Sequence, residues 1–258
     1  MMFDLIDILL PAFVAGLLVL STHVPLGFQV LKRGIIFIDL AIAQIAGLGA
    51  IVVEVNGINE HLFAINYLVA VVFALAGASI VALFERYAKA QLEALIGCLY
   101  VLSATAAFLL LAHDPHGGDL LKQVLSGQIL WVTFEDIYVH ALIYAALLLL
   151  MLSKPRLLSG KGFYFIFAVA ITSSVQLVGV FLVFSTLIMP TLICTKLTGN
   201  KKYGYAYGMG LTSYLLGLIL SASYDLPSGA SIVWCLAIVA AITAFFIKAE
   251  RKRIKINK

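Results

Sequence analysis

Seven stretches of about twenty residues carry almost no charge, and that run length constrains the chain more than anything else in it. A helix rises about 1.5 Å per residue, so about twenty apolar residues span the ~30 Å hydrocarbon core of a bilayer. The candidates are residues 5–22, 35–55, 62–84, 93–112, 134–152, 205–223 and 230–247. Strands of an outer-membrane barrel would alternate apolar and polar residues. These runs are continuous, and a helix satisfies its own backbone in lipid. Composition closes off a soluble fold: 63% of the 258 residues are hydrophobic, 12% are charged and the mean hydropathy is +1.08. Soluble domains carry about 25% charge. No soluble insert, repeat array or low-complexity linker interrupts the runs, so residues 1–258 read as a single transmembrane domain. The expected fold is an all-α polytopic membrane protein with about nine helical crossings, within a range of eight to ten.

The stretch 163–195 is too long for one straight span, and polar "TSSVQLVG" (172–179) interrupts it. It reads as two short helices meeting near the outer surface, or as one broken helix with a re-entrant arm. Charge favours two crossings, because Lys and Arg concentrate in cytoplasmic loops. With two crossings the N-terminus is outside. The cytoplasmic loops then hold Lys32 and Arg33, Arg86 and Lys89, Lys154, Arg156 and Lys161, Lys196, Lys201 and Lys202, and the basic residues of "KAERKRIKINK" (248–258). That places 16 of the 17 Lys and Arg inside, with Lys122 outside.

The start, "MMFDLIDILLPAF", has two acids and no base, unlike the positive n-region of a cleaved signal peptide, so 5–22 reads as a true first span. Cys98, Cys194 and Cys235 lie in apolar runs without C-x-x-C spacing and read as packing residues. Basic loops account for the net charge of +4, which gives no sign of a nucleic-acid surface. The sequence contains no G-x-x-x-x-G-K-[ST] loop; "PRLLSGKG" has Pro155 where the first glycine belongs. It contains neither H-E-x-x-H nor G-x-S-x-G, so an intramembrane hydrolase has no motif to stand on.

Three stretches carry more information: "PLGFQVLKRGIIFIDLAIAQIAGLGA" (25–50), "VQLVGVFLVFSTLIMPTLICTKL" (175–197) and "LSASYDLPSGASIVW" (220–234). Together they resemble the permease subunits of zinc and manganese ABC importers: a basic pair before an Asp-bearing helix, an apolar V-G-x-L-L-V segment ending in L-I-x-P, and an S-x-x-x-D-x-P-x-G-x-x-I-V turn. "LEALIGCLYVLSA" and "LSGQILWVTFEDI" fall in the expected order between them, so the resemblance runs along nearly the whole chain. It implies a homodimeric inner-membrane permease, a cytoplasmic ABC ATPase that binds the ATP, and an extracytoplasmic metal-binding protein. It implies no permanently bound cofactor; the divalent metal ion is cargo, with zinc favoured over manganese or iron. Two departures stand out. The family's His four residues after the Asp is Ala43 here, with Gln44 beside it. The cytoplasmic segment before "VQLVG" is cut to "SKPRLLSGKG" (153–162).

Individual residues are weighed against plainer roles. An ionisable group inside a spanning helix marks a functional site by default, which makes Asp39 a pathway ligand or gate; the plainer role is a partner for Arg33 or Lys32. Gln44 lies about 140° around the helix from Asp39, and it reads as a further ligand or as an interhelical hydrogen-bonder. His140, one turn beyond Asp136, reads as a pathway residue or a hydrogen-bonded core histidine. The loop "AHDPHGGD" offers His113, His116 and Asp119, beside Asp114, as an outer entry site in ligand types that zinc accepts. Its plainer reading is a polar turn with Asp119 capping the next helix. Pro190 is expected to break or kink its helix, and Gly204 and Gly208 form a lone packing motif. A stand-alone secondary cation transporter using Asp39 is the competing functional class.

Overall fold

The computed structural model describes residues 2–57, 63–126 and 129–256. Among them the chain is helical, with no strand. The helices are α1 (Met2–Arg33), α2 (Ile38–Val55), α3 (Phe63–Tyr87), α4 (Leu92–Leu111), α5 (Gly117–Ser126), α6 (Phe134–Ser153), α7 (Pro155–Ser159), α8 (Gly162–Val178), α9 (Val180–Cys194), α10 (Lys201–Tyr224) and α11 (Ser228–Ile256). Seven of them, α1 to α4, α6, α10 and α11, are long and apolar enough to cross a bilayer. The expected nine crossings resolve as these seven and one bent pair, α8 and α9, whose axes turn by 120°. At 17 and 15 residues, each arm is shorter than the ~20 residues of a straight span.

The bend sits at Gly179, with φ 81° and ψ 162°, a backbone region essentially closed to side-chain-bearing residues. It lies at the end of the polar stretch, and the hydroxyls of that stretch do not break the helix. Thr172 and Ser174 donate to the carbonyls of Ala168 and Ala170, one turn back. Pro190 does not break its helix: α9 runs through it, and the interruption lies eleven residues earlier. The first helix is also longer than residues 5–22 suggest: α1 continues through Pro25 to Arg33. A proline cannot donate to the carbonyl four residues back. The orphaned Ser21 carbonyl instead accepts a 3.1 Å hydrogen bond from the Tyr207 hydroxyl on α10, which keeps α1 intact through the proline.

Side-chain contacts assign the helix ends to two faces. Arg33 meets Glu85 of α3 and the carbonyls of Leu158 and Gly160, so the ends of α1 and α3 share a face with α7. Lys202, at the start of α10, lies over Phe28 near the end of α1, on the same face. Both ends of the α8–α9 pair therefore lie on one face and its bend points to the other. There Phe181 lines a groove with Trp131, Pro227 and Trp234. The first face gathers the basic loops, and Lys122 of α5 lies on the other; the charge pattern anticipates this parity. Side chains beyond Lys248 fall outside the described residues.

Without a hydrophobic drive between helices in lipid, close approach and hydrogen bonds hold the bundle together. α1 packs on α6, α9 and α10, and α2 packs on α3, α4 and α8. A Cβ on Gly27 would overlap the backbone carbonyl oxygen of Leu187, so this glycine sets the approach of α1 to α9. Gly204 and Gly208, by contrast, have no atom within 4 Å of where a Cβ would sit, and their motif packs nothing within the protomer. Leu109, Leu149, Leu152 and Phe245 are exposed, as lipid-facing residues should be.

Candidate transport site

The α1–α2 junction positions Asp39. Gly34 takes the left-handed conformation at φ 71°; its N–H bonds the Leu31 carbonyl and the Ile35 N–H bonds the Val30 carbonyl. This is a Schellman closure, which satisfies the last carbonyls of α1 and stops the helix. Ile38 opens α2, and the Phe37 N–H just before it donates to Glu93 Oε1 of α4 at 3.1 Å. Asp39 thus falls in the first turn of α2, where the positive end of the helix dipole favours an acid.

The carboxylate is buried, with 1% exposure, and neither oxygen has a hydrogen-bond partner. The plainer reading, a partner for Arg33 or Lys32, has no hydrogen bond to support it: both Asp39 oxygens are unpartnered and Lys32 is exposed. Arg33 pairs with Glu85 at 3.2 Å and stacks on Phe163 and Tyr164. Gln44 is buried further along α2 with an unpartnered Oε1, and Ala43, in place of the family histidine, is fully buried.

His140 sits elsewhere, in a polar seam between α3, α6 and α8. Its Nδ1 is 2.7 Å from Ser173 Oγ, and the Tyr67 ring meets it edge to face at 6.0 Å. Tyr144, one turn along α6, donates to Ser174 at 2.6 Å, since the Ser174 hydroxyl is already donated to a carbonyl. Ser173 and Ser174 of the polar stretch therefore serve as partners for α6.

The outer loop is a surface turn. His113, His116 and Asp119 are exposed, and Asp114 accepts the His116 N–H at 2.8 Å, closing an Asx turn. Asp119 lies within the first turn of α5 rather than at its cap. Among the described residues, no group of three or more His, Cys, Asp or Glu is gathered where it could hold a metal ion. One buried ionisable residue escapes the sequence reading: His23 on α1, fully buried, with an unpartnered Nε2. A lone histidine within an apolar run was the available signal.

The model of the ABC 3 transport family matches residues 5–160 and 155–248. The chain belongs to the ABC 3 transport family. This is the group of metal-ion ABC importer permeases that the quoted motifs resemble, so the chain is a multi-pass membrane transport component. The two pieces of the match meet at 155–160, inside the shortened segment. The high-affinity zinc uptake system membrane protein ZnuB of Haemophilus influenzae is 27% identical over 274 residues, covering 95% of this chain and 99% of that one. A candidate iron transport system membrane protein of the same organism is 29% identical over 151 residues, about half of each chain (50% and 53%). In fold, this ABC 3 member is similar to PsaBC of Streptococcus pneumoniae, solved with a Fab, at TM-score 0.77 with 21% identity and full coverage of both chains. It is also similar to an inward-facing candidate metal-chelate type ABC transporter, at TM-score 0.69 and 16% identity, covering 93% of this chain and 85% of that one.

Proposed function

We propose that the chain is the membrane-spanning permease of an ATP-driven importer for a divalent transition metal, with zinc as the cargo. The observation that carries this reading is Asp39: a buried acid in a spanning helix, with neither hydrogen bond nor counter-ion on its carboxylate. A charge so placed is unfavourable until a cation or a proton reaches it. An oxygen ligand suits a divalent ion and replaces part of its hydration shell. A tight zinc site uses about four protein ligands, and one protomer gathers no such set among the described residues. Weak ligation suits a carrier, which must release what it binds. Water, Gln44 or a second copy of the chain supplies the remaining ligands.

Zinc is preferred because the similarity to ZnuB runs over nearly the whole of both chains, whereas the iron-system relative covers about half. The basic face is cytoplasmic. A separate ABC ATPase docks there, since the sequence has no P-loop of its own, and exposed Lys154, Arg156 and Lys161 surround α7. An extracytoplasmic metal-binding protein delivers the ion to the opposite face, where exposed His113, His116 and Asp119 meet it first. The open Gly204–Gly208 face is left for a second copy.

The test is uptake into proteoliposomes holding the chain with its ATPase, using zinc, manganese and ferrous iron in parallel. ATP-dependent zinc uptake that excess manganese or iron does not suppress is the expected result. Uptake that proceeds without the ATPase would identify a secondary transporter instead. Preferential uptake of manganese or iron would overturn the assignment of zinc.

A further inference from the structure

We propose that Arg33 is the positioning residue that carries movement of the 153–162 segment into the helix bearing Asp39; the proposal rests on the permease reading above. One guanidinium ties the end of α1 to three other pieces of the basic face. Its Nη1 is 3.2 Å from Glu85 at the end of α3. Its Nη2 donates to the carbonyls of Leu158 at 3.1 Å and Gly160 at 2.9 Å, at the C-terminal end of α7; the Gly160 carbonyl also accepts the Phe163 N–H of α8 at 3.3 Å. Its plane lies over Phe163, 4.6 Å from the ring centroid, and Tyr164, 5.5 Å away, at the start of α8. The Arg33 side chain is only 14% exposed, so it acts from beneath the surface that a cytoplasmic partner would touch. The planar fork of Arg reaches two acceptors at fixed spacing while its face stacks on aromatics, and a lysine cannot do both.

On its other side Arg33 is joined to the transport helix by the shortest possible route. Arg33 ends α1, Gly34 turns the chain in the left-handed conformation with no atom within 4 Å of a Cβ position, and Asp39 follows in the first turn of α2. That glycine is an unpacked pivot between two held points. One is the Arg33 grip, and the other is Glu93, which holds the Phe37 N–H from α4. A displacement of α7 by the ATPase therefore pulls on Leu158 and Gly160, passes through the guanidinium and turns α2 about Gly34. The exposed basic side chains of Lys154, Arg156 and Lys161 frame the same ten residues. The family's longer segment is cut short here, and the Arg33 grip gives the short remnant a rigid hold on the pathway.

Arg33→Lys and Arg33→Gln test this in proteoliposomes, with ATP hydrolysis and ion uptake measured in one preparation. Arg33→Gln should assemble with the ATPase and hydrolyse ATP within about twofold of the unaltered protein. It should import at least about tenfold fewer ions per ATP. Arg33→Lys keeps the charge near Glu85 but loses one or both carbonyls, and should fall between. A merely structural role would lower hydrolysis and uptake together, and that result, or an unchanged ratio, would overturn the proposal. Should Arg33→Gln not assemble, the ratio measured for Arg33→Lys decides. Failure of the permease reading looks different: the unaltered complex itself would show no ATP-dependent uptake.

Discussion

Asp39 is legible in the sequence because one acid stands in an otherwise apolar run, and its plainer role was legible too. In the structure Arg33 has other partners and the Asp39 carboxylate has no hydrogen-bond partner. The expectation is that Asp39→Asn leaves a folded, ATPase-bound complex whose metal uptake falls at least about tenfold. Asn keeps the shape but removes the ligand charge that lowers the barrier to a cation. It also removes a carboxylate without partners, so the melting temperature should hold or rise. Normal uptake by this variant would reduce Asp39 to a packing residue, and a lowered melting temperature would mean it has a structural partner after all. His23 carries much the same signal yet is hidden by a mistaken helix end. It stands one residue past 22, where the first span is expected to end. In the structure α1 continues past it to Arg33, and His23 is fully buried.

At the scale of elements, continuous apolar runs translate directly into helices, because lipid leaves the backbone no other way to satisfy itself. The segment 163–195 is the exception. Its polar centre is visible in the sequence, but two punctuation marks, Gly179 and Pro190, compete for the break. A proline inside a membrane helix is tolerated where neighbours satisfy the freed carbonyl, whereas φ 81° with ψ 162° has no substitute for glycine. Gly179→Ala should therefore destabilise the protein by about 1–3 kcal/mol, from the cost of that backbone region for a residue with a Cβ. Pro190→Ala should cost less than about 1 kcal/mol, or stabilise, because the helix already runs through it. Thermal unfolding in detergent compares the two. A larger loss for Pro190→Ala would mean that the proline, not the glycine, shapes the pair.

For the whole molecule, the number of spans and the sidedness of the chain are separate questions. Counting apolar runs cannot say whether 163–195 returns to the face it left, because two short arms and one long span have similar composition. The distribution of Lys and Arg can, since a wrong parity inverts the last two helices and moves the basic residues of both 196–202 and 248–258 outward. In the structure the same parity follows from Arg33 meeting the start of the pair and Lys202 of α10 meeting Phe28 of α1 beyond its end. Single cysteines at Ser153, Gly118 and Asn200, all exposed, make this measurable once Cys98, Cys194 and Cys235 are replaced. An impermeant thiol reagent applied outside intact cells should label Gly118→Cys, while Ser153→Cys and Asn200→Cys should react only after the membrane is opened. Labelling of Asn200→Cys together with Gly118→Cys would mean that α8 and α9 cross once in total. The C-terminal basic tail would then lie outside together with Lys196, Lys201 and Lys202.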